Sequence, residues 1–323
     1  MTILLVGAGA VGQVYARHLQ IAGANVAFFV RPTAAAALAA GMWLYPLKKR
    51  GERIPVELRA PVHTSLTAVA AETWDQVWLC VPANALLDEG WLRSIADAVG
   101  DATVVALPPG IDSGERIARA FPRSAVVPAL IGMISYQAPL RGETVPRPGV
   151  AYLFPPGSPS AFGGSHGRAV AELLARGGCP AAENANVGAT SAFGSCVLMP
   201  NVAALEIAGW SLAALRRGPL LGGVAATSRQ AIDVVAARLG VRRPFLAFLL
   251  RGFTLRILWK LAPWVLPVDL QTYLRYHFTK VGEQTRQLLA EYRRDGEARG
   301  LPTDALETLA HRLAALGPAT KAA

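Results

Sequence analysis

The sequence predicts an α/β fold with a parallel sheet, followed by an all-helical region. Short apolar, β-branched runs alternate with helical patterns up to residue 186, an order typical of βαβ units. From residue 187 onward strand signals end, and apolar residues recur at helical spacing. We therefore predict two domains, residues 1–186 and 187–323, which suits a chain of 323 residues.

The first strand leads into a glycine motif. Three glycines follow it with the spacing G-x-G-x-x-G, and a helix and a second strand complete the unit. The first allows a sharp turn, the second lets the backbone approach a pyrophosphate, and the third lets the helix pack closely on the sheet. The N–H groups at the helix N-terminus attract phosphate. We predict a Rossmann-type dinucleotide site formed by Gly7, Gly9, Ala10, Val11 and Gly12; a glycine-rich turn in another kind of α/β protein is the alternative.

The second strand ends in Arg31, with no acidic residue nearby. An acidic residue at this position holds the ribose 2′-hydroxyl of NAD, whereas a basic one suits the 2′-phosphate of NADP. We therefore predict NADP(H) as the cofactor, with a solvated loop arginine as the alternative. Two later strands end at Val81–Pro82 and just before Gly110, and we expect both loops at the same ligand-binding edge of the sheet.

Composition limits the class of protein. Hydrophobic residues make up 52% of the chain and charged residues 17%, enough for a large core. The three cysteines lack metal-site spacing and no secretory signal precedes the glycine motif, so we expect a cytoplasmic protein with no metal site. The net charge of +10 could attract an anionic partner, but no nucleic-acid motif accompanies it, and we expect none to bind.

The stretch 245–268 is strongly apolar, with three basic residues and two prolines interrupting it. It is too interrupted for a membrane span, which needs about 20 largely uncharged residues. Two interpretations stay open: a buried helix pair or lid over an apolar pocket, and an interfacial helix with aromatic residues and basic heads. We expect the former, and leave weak contact with a membrane surface and a homodimer open.

This layout resembles the ketopantoate reductase (2-dehydropantoate 2-reductase) family. The resemblance includes the glycine opening, Arg31, the segment Ser195–Asn201 and the late segment Arg299–Thr303. It implies a Rossmann domain joined to a C-terminal domain of the 6-phosphogluconate dehydrogenase type. It also implies an oxidoreductase that uses NADP(H) to reduce the carbonyl of a small molecule, such as a 2-oxo acid, to an alcohol. The apolar stretch 245–268 favours a more apolar ketone as the substrate.

The chain departs from this family at several polar positions. The family's proton-donating lysine falls on Ser191, its substrate-binding asparagines fall on Ser195 and Met199 with Asn201 close by, and its late glutamate falls at Glu283 or Gln284. The resemblance therefore implies substrate-binding roles for Ser191, Ser195, Asn201 and Gln284, and describes a divergent member without the usual catalytic lysine.

Hydride transfer to a carbonyl builds negative charge on oxygen, which a cation or acid must neutralise. On one continuous helix His277, Lys280 and Gln284 would share a face. We predict Lys280 or His277 as the acid and Glu283 beside them as a catalytic or substrate-anchoring group; a solvated helix face is the alternative. The competing function is a non-catalytic NADP(H)-binding protein that docks on a membrane surface or partner through residues 245–268.

Overall fold

The computed structural model describes residues 1–47, 54–110, 112–265 and 268–317. The chain divides into two compact units, Met1–Gly188 and Ala189–Ala323. The sequence predicts the division two residues earlier, between 186 and 187.

The N-terminal unit is α/β. Its strands are β1 Thr2–Val6, β2 Asn25–Phe29, β3 Met42–Pro46, β4 Val56–Leu58, β5 Val62–His63, β6 Gln76–Leu79, β7 Thr103–Ala106, β8 Val126–Leu130, β9 Ile134–Ala138, β10 Gly149–Leu153, β11 Ser160–Phe162 and β12 Ala181–Glu183. Its helices are α1 Ala10–Ile21, α2 Pro32–Leu38, α3 Leu66–Ala70, α4 Glu89–Val99, α5 Ser113–Ala120 and α6 Gly167–Arg176, with a 3₁₀ helix at Ala83–Leu87.

Eight strands form the main sheet in the order β12-β11-β8-β7-β6-β1-β2-β5, and a smaller sheet has the order β4-β3-β10-β9. The main sheet is parallel except for the antiparallel pair β8–β11. This arrangement confirms the predicted Rossmann-type fold class.

The apolar run of β1 is buried on both faces. Ile3 and Leu5 pack in one core cluster, which includes residues of α1, and Leu4 and Val6 pack in a second, which includes residues of α4. A central parallel strand covered on both faces requires such a continuous apolar run, because neither side meets water.

Residues 155–164 are rich in proline and glycine, which favours a loop, yet β11 lies within this stretch. The Ser160 hydroxyl is buried at 2.9 Å from that of Tyr15, and it accepts a hydrogen bond from the Gly132 backbone N–H at 3.1 Å. These tertiary contacts stabilise a strand that the local sequence does not favour.

The second unit is helical, as predicted. Its helices are α7 Val187–Ile207, α8 Leu212–Arg217, α9 Leu220–Leu239, α10 Gly252–Val265, α11 Leu270–Lys280, α12 Gly282–Ala298 and α13 Asp304–Ala314, with a 3₁₀ helix at Phe245–Leu249. α7 and α8 are separate helices, because Gly209 and Trp210 adopt positive φ values of 66° and 62° that end α7.

One helix of the described residues, α7, is long and apolar enough by length and composition to cross a membrane. Its most apolar window is 56% buried within the structure. A buried core helix passes the same test, so this result is weak evidence for a span.

The expectation of a buried helix pair at 245–268 is wrong for the residues that the structure describes. Phe253 is 72% exposed and Trp264 88% exposed, while Leu255 and Trp259 are buried. Only one face of α10 packs on the unit, and its other face is both apolar and exposed.

Candidate functional site

The predicted cofactor residues lie at the carboxyl ends of neighbouring parallel strands. β1 lies between β2 and β6, so the chain builds the main sheet on one side of β1 with β2 and β5 and then crosses to the other side with β6. Ligands of open α/β sheets bind at such a switch point. The loops that follow β1, β2, β6 and β7 all begin at this edge of the sheet.

The turn after β1 requires glycine at two positions. Gly7 has a φ of +100°, and a Cβ added to it would lie 2.7 Å from the Cys80 carbonyl oxygen. A Cβ on buried Gly12 would clash with the carbonyl oxygen of Gly7. Both substitutions would push backbone against backbone, so these two glycines maintain the turn itself.

Gly9 differs from its two neighbours. It begins α1 as the N-cap, without a side-chain cap, and a Cβ built on it would have no atom within 4 Å. The first turn of α1, which starts at Ala10 and Val11, contains no acidic residue. Its first N–H groups have no intrahelical partner. An open cradle beside a helix N-terminus fits the pyrophosphate of a dinucleotide.

Arg31 is exposed where β2 runs into α2. Its backbone is extended, with φ −63° and ψ 146°, and it forms the N-cap ahead of Pro32. No hydrogen bond or ion pair joins its guanidinium to another of the described residues. The group is therefore available to an anion beside the glycine turn.

The other two strand ends line the same edge in different ways. A Val81 methyl group would lie 3.3 Å from a Cβ on Gly7, so this side chain borders the glycine turn. Pro82 is exposed and precedes the 3₁₀ helix. Gly110 has a φ of +129° and lies in the loop between β7 and α5.

Sequence reasoning overlooked Cys80, whose side chain packs against the glycine turn. The Cβ atom of Cys80 would lie 3.3 Å from a Cβ on Gly12, and burial raises the pKa of the Cys80 thiol. The side chain therefore stays protonated and packs as a small apolar group.

Asn201 serves the core of the second unit. Its amide nitrogen donates to the Val197 carbonyl oxygen at 2.8 Å, and its amide oxygen accepts from the indole N–H of Trp259 at 2.8 Å. The residue is 4% exposed. The amide thus joins α7 to α10 in the structure, and the substrate-binding role of Asn201 stays a prediction.

The two serines predicted to bind substrate also lie on α7. Ser191 is partly exposed, whereas Ser195 is buried. The Tyr292 hydroxyl of α12 lies beside Ser195 and Cys196, and burial holds the pKa of this tyrosine well above its ordinary value. This buried cluster joins helices that are distant in sequence, and no local pattern indicated it.

The predicted shared face of His277, Lys280 and Gln284 does not exist. α11 ends at Lys280 and α12 begins at Gly282, with Val281 between them outside both helices. Valine and glycine both have low helix propensity, which favours a break here. Glu283 is exposed in the first turn of α12 and Gln284 is buried. His277 and Lys280 therefore lie on a different helix from Glu283 and Gln284, so no single helical face contains all four.

His277 packs between aromatic rings, with centroid distances of 5.6 Å to Tyr273 and 4.9 Å to Phe278. Burial, and secondarily the charge of Lys280, lowers its pKa to about 4. Its imidazole is therefore neutral near pH 7 and holds no extra proton to donate. Lys280 is exposed and has no ion-pair partner among the described residues, so it is the remaining cation of this predicted pair.

The shifted pKa of His277 predicts a pH dependence of stability. Because the folded pKa of about 4 lies below the ordinary 6.5, the unfolded chain binds more protons between these values. Unfolding free energy should therefore fall by about 2 kcal/mol from about pH 7 to about pH 4.5 through this residue. Urea unfolding of the wild type and of His277→Gln over this pH range measures the effect. The unfolding free energy of the variant should depend less on pH than that of the wild type. Equal pH dependence in both proteins would contradict it.

The fold and the strand-end residues define a two-unit protein, with a Rossmann-type N-terminal unit and a helical C-terminal unit. Residues 3–145 match the family model described as Ketopantoate reductase PanE/ApbA. The N-terminal unit is thus similar to this family over residues 3–145, in agreement with the family resemblance that the sequence predicted. A comparison with curated proteins gives no match.

Solved structures share the fold over nearly the whole chain. A PanE/ApbA family ketopantoate reductase from Ralstonia eutropha JMP134 is 20% identical, with a TM-score of 0.73 and 98% of each chain covered. A D-mandelate dehydrogenase solved with NADH is 16% identical, with a TM-score of 0.71 and 98% of each chain covered. A dimeric ketopantoate reductase from Staphylococcus aureus is 12% identical, with a TM-score of 0.65, and 98% of this chain and 100% of that chain are covered.

Proposed function

We propose that this protein is an NADPH-dependent oxidoreductase that reduces a carbonyl group of a small molecule to an alcohol. The observation that carries the proposal is the open cradle at Gly9, with the exposed guanidinium of Arg31 at the neighbouring strand end. The cradle suits a pyrophosphate, and the guanidinium suits the 2′-phosphate that distinguishes NADP from NAD. The ketopantoate reductase match over residues 3–145 supports the same class.

The chain must supply binding groups and a proton. Gly7 and Gly12 shape the turn, and the N–H groups that follow Gly9 bind the pyrophosphate. A bound nicotinamide supplies the hydride to the carbonyl carbon. Lys280 donates a proton to the carbonyl oxygen, because Ser191 carries no charge and the pKa of His277 leaves that ring neutral.

The substrate class is a 2-oxo acid. One structural neighbour, a D-mandelate dehydrogenase, is solved with NADH and anilino(oxo)acetate, which supports this class. The sequence argument for a more apolar ketone depended on residues 245–268 enclosing an apolar pocket. Their exposed apolar side chains remove that support.

The test is a titration with NADPH and NADH by cofactor fluorescence, followed by NADPH oxidation against a panel of 2-oxo acids and apolar ketones that includes ketopantoate. Tight NADPH binding with turnover of a 2-oxo acid is the expected result. Turnover of apolar ketones alone would contradict the substrate class, and absence of binding would contradict the cofactor site.

Arg31→Ala should raise the Kd for NADPH by roughly 10–100-fold, because a charge-assisted contact with the 2′-phosphate is worth about 1.5–3 kcal/mol. The Kd for NADH should change less than about threefold, since NADH lacks that phosphate. Both constants come from the same fluorescence titration. An equal effect on both cofactors would exclude this role for Arg31.

A non-catalytic NADP(H)-binding protein is the second candidate function. Ser191 at the position of the family lysine favours it, together with the break between α11 and α12 that separates the predicted polar groups. Tight NADPH binding without turnover of any panel member would support this candidate instead.

Two further expectations accompany the proposal. A cytoplasmic location suits the three cysteines, which are free thiols. A homodimer is proposed because a neighbour from Staphylococcus aureus is described as dimeric.

A further inference from the structure

The segment 245–264 presents an apolar surface to solvent, which we name the aromatic-basic surface. It includes the 3₁₀ helix at Phe245–Leu249 and α10. Its large apolar side chains are exposed by 41–88%: Phe245, Phe248, Leu249, Phe253, Ile257, Leu258, Leu261 and Trp264. A contiguous apolar patch on a protein surface marks an interaction site more often than isolated exposed residues do.

α10 is anchored by the face opposite this surface. Leu255 and Trp259 are buried, and the Trp259 indole is hydrogen-bonded to Asn201. A Cβ on Gly252 would lie 3.0 Å from the backbone nitrogen of Gly222, so α10 begins in close contact with α9. The helix is thus firmly docked on the second unit, and its exposure does not reflect a missing core contact.

The solvent-facing side of α10 has an apolar stripe. Phe253, Ile257, Leu261 and Trp264 are spaced four, four and three residues apart, so they lie on one side of the helix. A surface helix normally places polar residues there. Arg256 and Lys260 lie along the edge of this stripe, a pattern typical of helices at a membrane interface.

The charge of this region has one sign. Between Asp233 and Asp269 the sequence contains six basic residues and no acidic one. Four of the six are exposed and have no ion-pair partner among the described residues: Arg242, Arg251, Arg256 and Lys260. A surface with unpaired cations around exposed aromatic groups is complementary to an anionic and apolar partner.

A depression of about 470 Å³ lies at one edge of the surface, bordered by Arg229, Phe248 and Arg251. The guanidinium of Arg243 lies 5.5 Å from the centre of the Phe248 ring. Cationic groups therefore lie close to the exposed aromatic rings.

We propose that the aromatic-basic surface docks this protein on a bilayer that contains anionic phospholipids. The stripe of α10 enters the interface between headgroups and acyl chains, and the four unpaired cations contact the lipid phosphates and carboxylates. A second copy of the chain is a poorer occupant, because a two-fold contact would bring the like charges of both surfaces together. The inference does not depend on the proposed cofactor or reaction.

The test is sedimentation of the full-length protein with vesicles of phosphatidylcholine alone or of phosphatidylcholine with phosphatidylserine. We expect binding to the anionic vesicles only, a decrease at high salt, and a blue shift of tryptophan fluorescence from Trp264, which is 88% exposed in the free protein. Replacing three cations, in R251E/R256E/K260E, should lower the partition coefficient by roughly 100-fold or more.

Matched variants separate the contribution of the cations to vesicle binding from that of the exposed apolar side chains. R119E/R123E/R141E makes the same change of charge at exposed arginines of the N-terminal unit and should retain most of the binding. F253S/W264S leaves the charge unchanged and should abolish sedimentation with the anionic vesicles. Circular dichroism of each variant checks that it is folded, and the side chains changed in α10 are exposed, so the fold should persist.

Failure of the folded wild type to bind anionic vesicles at low salt would overturn the proposal. So would equal binding to neutral vesicles. Sedimentation velocity that shows a wild-type dimer and an F253S/W264S monomer, without vesicle binding, would assign the surface to a second copy of the chain instead.

Discussion

Gly12→Ala should destabilise the N-terminal unit by about 2–4 kcal/mol and abolish cofactor binding, because the new methyl group clashes with the Gly7 carbonyl oxygen inside the turn. Neither backbone group can move without shifting α1 away from the sheet. Urea unfolding measures the loss of stability, and titration with NADPH measures the loss of binding.

The matched control is Gly9→Ala. Its methyl group meets no protein atom within 4 Å, so stability should change by less than about 0.5 kcal/mol. The methyl group would nevertheless fill the space that we assign to the pyrophosphate, and the Kd for NADPH should rise about tenfold or more. Unchanged NADPH binding in folded Gly9→Ala would contradict the assigned position of the cofactor. A stable Gly12→Ala would contradict the described packing.

Lys280→Met should lower kcat for carbonyl reduction by about 10²–10⁴-fold, the usual contribution of a positioned general acid. The Kd for NADPH should stay unchanged, because the predicted cofactor residues belong to the other unit. Stopped-flow or steady-state oxidation of NADPH with the substrate identified from the panel provides the measurement.

Arg275→Met is the control for this prediction. Arg275 is an exposed cation on the same helix, five residues before Lys280, and its removal should leave kcat within about twofold of wild type. Equal rates for wild type and Lys280→Met would exclude Lys280 as the proton donor and favour the non-catalytic candidate.

The first βαβ unit could be predicted from sequence because its requirements are local. The apolar run of β1, the three glycines and the start of α1 all lie within a dozen residues, and each residue type meets a constraint of the turn or the sheet. The family resemblance added the type of the helical domain and showed the polar positions at which this chain departs from the family.

Other features depended on contacts between distant segments. β11 forms because Ser160 hydrogen-bonds across 145 residues to Tyr15. Asn201 was predicted to bind substrate, yet Trp259, 58 residues later, uses its amide oxygen. Periodicity also missed the break at Val281, since a single residue outside the helices barely changes an amphipathic pattern.

The sequence by itself determined the Rossmann-type sheet, the glycine turn and the helical character of the second half, because backbone conformation and burial periodicity are encoded in neighbouring residues. Only the tertiary structure decided which apolar and polar side chains face solvent. Both the stripe of α10 and its buried face are apolar in sequence, and packing against α9 and α7 determines that Leu255 and Trp259 are buried while Phe253 and Trp264 stay exposed.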